Sequence, residues 1–366
     1  MEGLSTFTDM FHPHILAPIS TGKIIVAHPK PFIPSPNRPR LGHDQPPAEQ
    51  SAVEELWMEV SGSQMRYLKA PGPVGAPASP LLMIHGLWGF SYSWRKNIPS
   101  LSRHRTVYAV DMIGAGYSQR PSPRQTFDWS LKGHALRLLE FIDHLGIPTI
   151  NLAASSHGGA IAMMLAILCR QRNEGQPTLE GDHRQEHYPP PAARQKNQTT
   201  IRKMALVSPV NPWSRYHPSI VKVAENILGR AVVRLAKPLA SPICQWRLGK
   251  LYAVESRMTP GTAAAYAAPL NLPRSSQTQI GILRAWRQDE EELKHLLPTI
   301  SNIPVLFIWG SEDRVIELSA SSELIKNFKN AKVITIKSTG HLPYEELPAE
   351  FNPALESFLK EQDFCN

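Results

Sequence analysis

Three short apolar runs, Leu81–Ile84, Thr106–Val110 and Thr149–Ala153, each stop at a polar or small-residue turn, and stretches with helical spacing lie between them. A run that is apolar on consecutive residues belongs to a strand covered on both faces, the situation of a parallel sheet packed by helices on either side. Lys203–Val207, Pro304–Trp309 and Lys332–Ile336 continue the series. Helical spacing is clearest over Leu131–Leu145, closed by Gly146 and Pro148, and over Ala349–Lys360. A hairpin precedes them, Leu56–Val60 and Met65–Leu68 about Ser61, Gly62 and Ser63. The expected fold class is α/β, with a mostly parallel central sheet covered by helices.

Proline divides the chain. Many of its 34 prolines crowd before residue 50 and around residues 177–191. Residues 1–50 therefore read as an irregular arm, with apolar Phe7, Phe11, Ile15 and Phe32 available to lie on a surface. Residues 51–210 form the first part of the core, interrupted by a polar stretch over 171–200 whose composition predicts disorder. Residues 211–300 break the alternation. They read as helices over Ser219–Ala236 and Gln279–Leu297 with a proline-punctuated middle, and residues 301–366 resume the core. A helical block inserted there would act as a lid over the carboxyl ends of the strands and build a substrate pocket.

Bulk properties exclude several functions. Formal net charge is +8, but lysines and arginines are interleaved with acids and form no nucleic-acid arm. Cys169, Cys244 and Cys365 are odd in number and far apart, so neither a disulfide framework nor a metal spacing is expected. Cys169 ends an apolar helical run and reads as a packing residue. His12 and His14 sit in the arm without nearby Cys or Asp partners, so no metal is expected there either. The N-terminus lacks the pattern of a signal peptide, and the longest apolar stretch, Ala160–Leu168, is too short to span a bilayer. No integral membrane segment and a cytoplasmic location are the expectation. Oligomeric state is not encoded in any motif.

The chemistry gathers at Asn151–Gly159. An apolar strand ends, a small-x-Ser-x-Gly unit follows, and a helix of small residues begins at once. A serine on so sharp a strand-to-helix turn needs small neighbours two residues to either side, here Ala154 and Gly158. Gly159 then lets the helix approach the sheet. The helix N-terminus aims its dipole and free N–H groups at Ser156, which favours a developing oxyanion. Ser155 is the rival nucleophile, but it would put His157 where a glycine is wanted.

With that context the chain, from about residue 55 to its C-terminus, resembles the α/β-hydrolases. Ile84, His85, Gly86, Leu87, Trp88 and Gly89 resemble the His-Gly loop of that family, and Asp111, Gly114, Gly116 and Ser118 its Asp-x-x-Gly-x-Gly-x-Ser loop. The first glycine of the family's elbow is replaced by Ala154. The resemblance assigns the oxyanion hole to the backbone N–H groups of His157 and Leu87. Trp309, Gly310 and Asp313 resemble the Trp-Gly-x-x-Asp segment, which makes Asp313 the acid and leaves Glu312 a solvated turn carboxylate. Gly340 and His341 resemble the Gly-His loop, which makes His341 the base. His85 reads better as a buried brace of its loop than as a catalytic group. Trp88, Phe90 and Trp94, with Tyr92 beside them, could line an apolar acyl pocket; Trp213, Tyr216, Trp246 and Trp286 are weaker candidates.

A serine hydroxyl becomes a nucleophile when an imidazole takes its proton, and a carboxylate fixes the imidazole tautomer. The expected reaction is acyl transfer from a small carbonyl substrate, ester-like and apolar, through an acyl-enzyme to water, without cofactor or metal. Dehalogenases and epoxide hydrolases place an aspartate at the elbow, which Ser156 argues against. Carbon–carbon bond hydrolases and acyltransferases use the same triad and stay open. So does a ligand-binding scaffold with little turnover.

Overall fold

The computed structural model describes residues 53–75, 78–122, 127–175, 198–214 and 240–361. The N-terminal arm, most of the 171–200 stretch and the helix expected over Ser219–Ala236 lie outside them, as do His12, His14, Tyr216 and Cys365. Eight strands form one sheet: β1 (Glu54–Val60), β2 (Ser63–Ala70), β3 (Leu81–Ile84), β4 (Val107–Val110), β5 (Thr149–Ser155), β6 (Thr200–Val207), β7 (Val305–Gly310) and β8 (Ala331–Ile336). Their spatial order is β1-β2-β4-β3-β5-β6-β7-β8. The β1/β2 hairpin pairs antiparallel, as does β2 with β4; every other pair is parallel.

Strand periodicity divides the core into two layers. Leu82, Ile84, Val110, Leu152, Ala154, Leu206 and Phe307 face one side, where they meet helices α1 (Leu131–Leu145) and α2 (His157–Asn173). Leu81, Met83, Ala109, Ala153, Val207 and Ile308 face the other, against Trp94 and Phe351, Leu355 and Phe358 of the C-terminal helix, Pro348–Lys360. Strands β3, β4 and β7 are buried at every position, which is why their sequences are apolar without alternation. Ser130 caps α1 by accepting the Gly133 N–H at 3.0 Å, and Gly146 ends the helix in the left-handed region at φ 65°. Cys169 is buried in the first layer, as its sequence context predicts.

Between β6 and β7 the described residues include the helices α3 (Ala240–Leu251), α4 (Thr262–Leu270) and α5 (Ser275–Leu296). The first two of these occupy the proline-punctuated stretch. α3 contains Pro242, and Pro269 falls in the last turn of α4. No described helix is long and apolar enough to cross a membrane.

Candidate functional site

Ser156 stands between β5 and α2 with φ 54° and ψ −122°. A side chain in that region clashes with its own backbone, a strain on the order of 1–3 kcal/mol that the surroundings must hold in place. They do so by hydrogen bonds and by close approach. The Ser156 N–H donates to Val207 O at 2.9 Å, and its carbonyl accepts from the N–H groups of Gly159 at 2.9 Å and Val210 at 3.0 Å. A Cβ on Gly158 would stand 2.4 Å from His85 O, and one on Gly159 would stand 2.6 Å from the Pro209 ring. Ala154 pairs with Ile84 and Leu206 and is fully buried in the first core layer. Its methyl group fits there, so the alanine in place of the family's glycine leaves the elbow intact.

His85 is a brace, as expected. Its Nδ1–H donates to Gly86 O at 2.8 Å and its Nε2 accepts the Met112 N–H at 3.1 Å, a neutral tautomer tying the loop after β3 to the loop after β4. Burial lowers its pKa. Downstream, Asp111 accepts from the N–H groups of Ser91 and Tyr117, both at 2.8 Å, and pairs with Arg66 at 3.0 Å. Trp88, in the loop between these braces, adopts φ 62°.

Asp313 and His341 come from the turns after β7 and β8. The His341 Nδ1–H donates to Asp313 Oδ2 at 2.9 Å, while Asp313 Oδ1 accepts from the N–H groups of Val315 at 2.8 Å and Ile316 at 3.1 Å. Burial pushes the Asp313 carboxyl up, but the His341 imidazole and these hydrogen bonds outweigh it and hold the group below its ordinary value. Trp309 Nε1 donates to Ile316 O at 2.9 Å and closes the same turn. Glu312 points to solvent. The His341 N–H donates to Leu251 O at 2.7 Å, and Glu346 accepts the Gly340 N–H at 2.6 Å and the Ala253 N–H at 3.1 Å, so one buried carboxylate fixes the histidine loop against the end of α3.

Ser156 and His341 open on one cavity of about 310 Å³. Leu87 and Trp88 line it on one side; Ile243, Cys244, Trp246, Arg247, Leu248 and Leu251 of α3 line it on another, with Tyr266, Leu270 and Leu342 completing an apolar wall. Phe90 and Trp94, expected as pocket residues, do not line it. The short turn Ser91–Trp94 carries both inward: Phe90 stacks on Tyr92 at 5.6 Å between centroids, and Trp94 packs on Tyr344 at 4.4 Å. Of the weaker aromatic candidates, Trp246 lines the cavity, whereas Trp286 stacks on the His157 ring at 5.4 Å and Trp213 packs against the first core layer. Buried there, His157 has its pKa lowered to about 3, so its ring is neutral.

Nothing in the local sequence marks Glu345. It is fully buried four residues after His341, paired with Arg95 at 2.7 Å, accepting from Tyr252 Oη at 2.9 Å and also from Tyr266 Oη. Two adjacent acids on a turn look solvated until other parts of the chain close over one of them.

A mostly parallel sheet whose fifth strand delivers a serine to a helix N-terminus, with an aspartate and a histidine on the turns of two later strands, is the plan of an α/β hydrolase. The chain belongs to the alpha/beta hydrolase family, whose profile matches residues 81–354, and is an enzyme of the hydrolase class. It is 24% identical over 307 residues to a 2-hydroxy-6-oxo-2,4-heptadienoate hydrolase of Pseudomonas putida, an alignment covering 79% of this chain and 92% of that one. It is 25% identical over 299 residues to a human (lyso)-N-acylphosphatidylethanolamine lipase, covering 78% and 80%. The fold matches the 2-hydroxy-6-oxo-6-phenylhexa-2,4-dienoate hydrolase of Rhodococcus sp. strain RHA1 with a TM-score of 0.62 at 20% identity, over 85% of this chain and all of the other.

Proposed function

We propose that the protein is a serine hydrolase that transfers the acyl group of an ester to water. The observation that carries this reading is the strained elbow serine opening on the same cavity as a histidine whose Nδ1–H is already committed to Asp313. In the neutral ring that tautomer leaves the lone pair on Nε2.

His341 takes the Ser156 hydroxyl proton as Oγ bonds to the ester carbonyl carbon. The backbone N–H groups of His157 and Leu87 receive the oxyanion. The ester C–O bond then breaks, and the proton on His341 passes to the departing alkoxide. Water repeats the sequence on the acyl-enzyme, giving the carboxylic acid and restoring Ser156. Asp313 stays ionised throughout and stabilises the imidazolium. Helices α3, α4 and α5 serve as the lid that keeps bulk water from the acyl pocket. No step needs a metal or cofactor. Two buried free cysteines, Cys169 and Cys244, suit a reducing compartment such as the cytoplasm.

A fluorophosphonate followed by peptide mass spectrometry tests the reading. One adduct on Ser156, absent in Ser156→Ala and formed far more slowly in His341→Ala, supports it; unmodified Ser156 in folded protein overturns it. The similarity to a dienoate hydrolase supports a second reading, in which the same residues cleave a carbon–carbon bond beside a ketone. Turnover of vinylogous diketones with no turnover of esters would select it.

A further inference from the structure

We propose that Arg247 makes the site selective for carbonyl substrates that carry a carboxylate, and that it holds this carboxylate beside the oxyanion loop. The inference deepens the serine hydrolase reading and depends on it for the location of the reacting carbonyl. Of the six α3 residues that line the cavity, Cys244, Arg247, Leu248 and Leu251 have the spacing of one helical face, with Ile243 and Trp246 at its edge. Three of those four are apolar or nearly so; the cation among them is out of place in a purely hydrocarbon pocket.

Arg247 is the only lysine or arginine among the described residues that line the cavity. Its Cζ stands 4.1 Å from the centroid of the Trp88 ring. Stacking of that kind occupies the face of a guanidinium and leaves its N–H edge to donate, and that planar fork matches the two oxygens of a carboxylate. Nearby arginines are engaged elsewhere: Arg95 with Glu345 at 2.7 Å, Arg120 with the carbonyls of Gly116 at 2.8 Å and Pro269 at 2.9 Å. Ile243, Leu248, Leu251 and Leu270 line the same cavity; its described polar lining includes Ser275, Ser276 and Gln279 but no carboxylate that would compete for Arg247. Trp88 directly follows Leu87, whose N–H is assigned to the oxyanion hole. A carboxylate on Arg247 would thus be held on the same loop as the reacting carbonyl.

Two p-nitrophenyl esters of equal chain length, the half-ester of hexanedioic acid and the hexanoate, separate this role from a merely structural one. The wild-type protein is expected to prefer the half-ester by about tenfold or more in kcat/KM, chiefly through KM, the scale of one charge-assisted pair. Arg247→Gln should abolish that ratio and Arg247→Lys should keep part of it. Equal use of both esters by the wild type, or a ratio unchanged in Arg247→Gln, overturns the proposal and leaves Arg247 as a prop for Trp88. Calorimetric binding of the two esters to Ser156→Ala protein, with and without Arg247→Gln, makes the same distinction without turnover: tighter half-ester binding that needs Arg247 supports the proposal, equal binding overturns it. Hydrolysis by Ser156→Ala at the wild-type rate would instead remove Ser156 from the mechanism, while the binding comparison would still decide the role of Arg247.

Discussion

Gly310 and Gly340 cross so closely that a Cβ on Gly310 would lie 2.0 Å from Gly340 O. This crossing brings the turn that carries Asp313 against the turn that carries His341, and the Glu312 N–H donates to Thr339 O at 2.9 Å beside it. Gly310→Ala should therefore push the histidine turn away from its partner. The expected cost is about 1–3 kcal/mol of stability, as for other overpacked sites. A slowed fluorophosphonate reaction at Ser156 should accompany it, and labelling at the wild-type rate would show that the crossing does not set the Asp313–His341 distance.

Asp313 and Glu312 are neighbours with opposite environments, one buried against His341 and the other exposed. Asp313→Asn should lower kcat by about ten-thousandfold, the scale known from the chymotrypsin triad rather than from this protein. Glu312→Gln should leave kcat within about twofold, since surface changes away from partners have small effects. Steady-state ester hydrolysis measures both.

At the elbow, Gly158 and Ala154 flank Ser156 but tolerate opposite changes. Gly158→Ala drives a methyl into His85 O and should abolish labelling of Ser156. Ala154→Gly, which restores the family's usual residue, should cost only about 0.5–1 kcal/mol through backbone entropy and keep the activity. Thermal melts and labelling rates distinguish the two; loss of labelling in Ala154→Gly would mean that the methyl positions the serine.

Asp289 on α5 is buried and accepts the Leu131 N–H at 3.1 Å. Burial, with Asp128, Glu292 and Glu290 nearby, raises its pKa to about 8 against that hydrogen bond. The folded chain therefore holds a proton that the unfolded chain releases in the ordinary carboxylate range. Between those limits the native state binds more protons, and stability falls as pH rises toward 8. Asp289→Asn keeps the acceptor and removes the titration. Its melting temperature should exceed the wild type's by a margin that grows from about pH 5 to about pH 8; a margin independent of pH would show that Asp289 is already ionised in the fold.

Glu345 and Arg95 form an ion pair with side chains almost wholly removed from solvent. Glu345→Ala would leave the guanidinium buried and unpaired and should destabilise the protein by about 3–5 kcal/mol. Added salt should change the difference between the two proteins little, because screening acts mainly on exposed charges. Denaturant unfolding of the two proteins at low and high salt measures both effects.

The sheet and the elbow are legible in the residues alone. Burial on both faces leaves no room for polar alternation, so Leu81–Ile84 and Val305–Gly310 announce interior strands, and a serine between a strand and a small-residue helix announces a strained turn. Resemblance to the family adds Asp313 and His341, which the fold brings together from the turns after β7 and β8. The pocket is another matter. Phe90 and Trp94 are as aromatic as Trp88, and only the inward turn at Ser91–Trp94 removes them from the cavity. Arg247, Tyr266 and Glu345 carry no local signal, because their surroundings come from chain segments 79 to 250 residues away or, for Arg247, from the Trp88 ring on another wall of the cavity. Periodicity records which face of an element is buried; what a buried side chain meets is decided by the packing of elements that the local sequence does not contain.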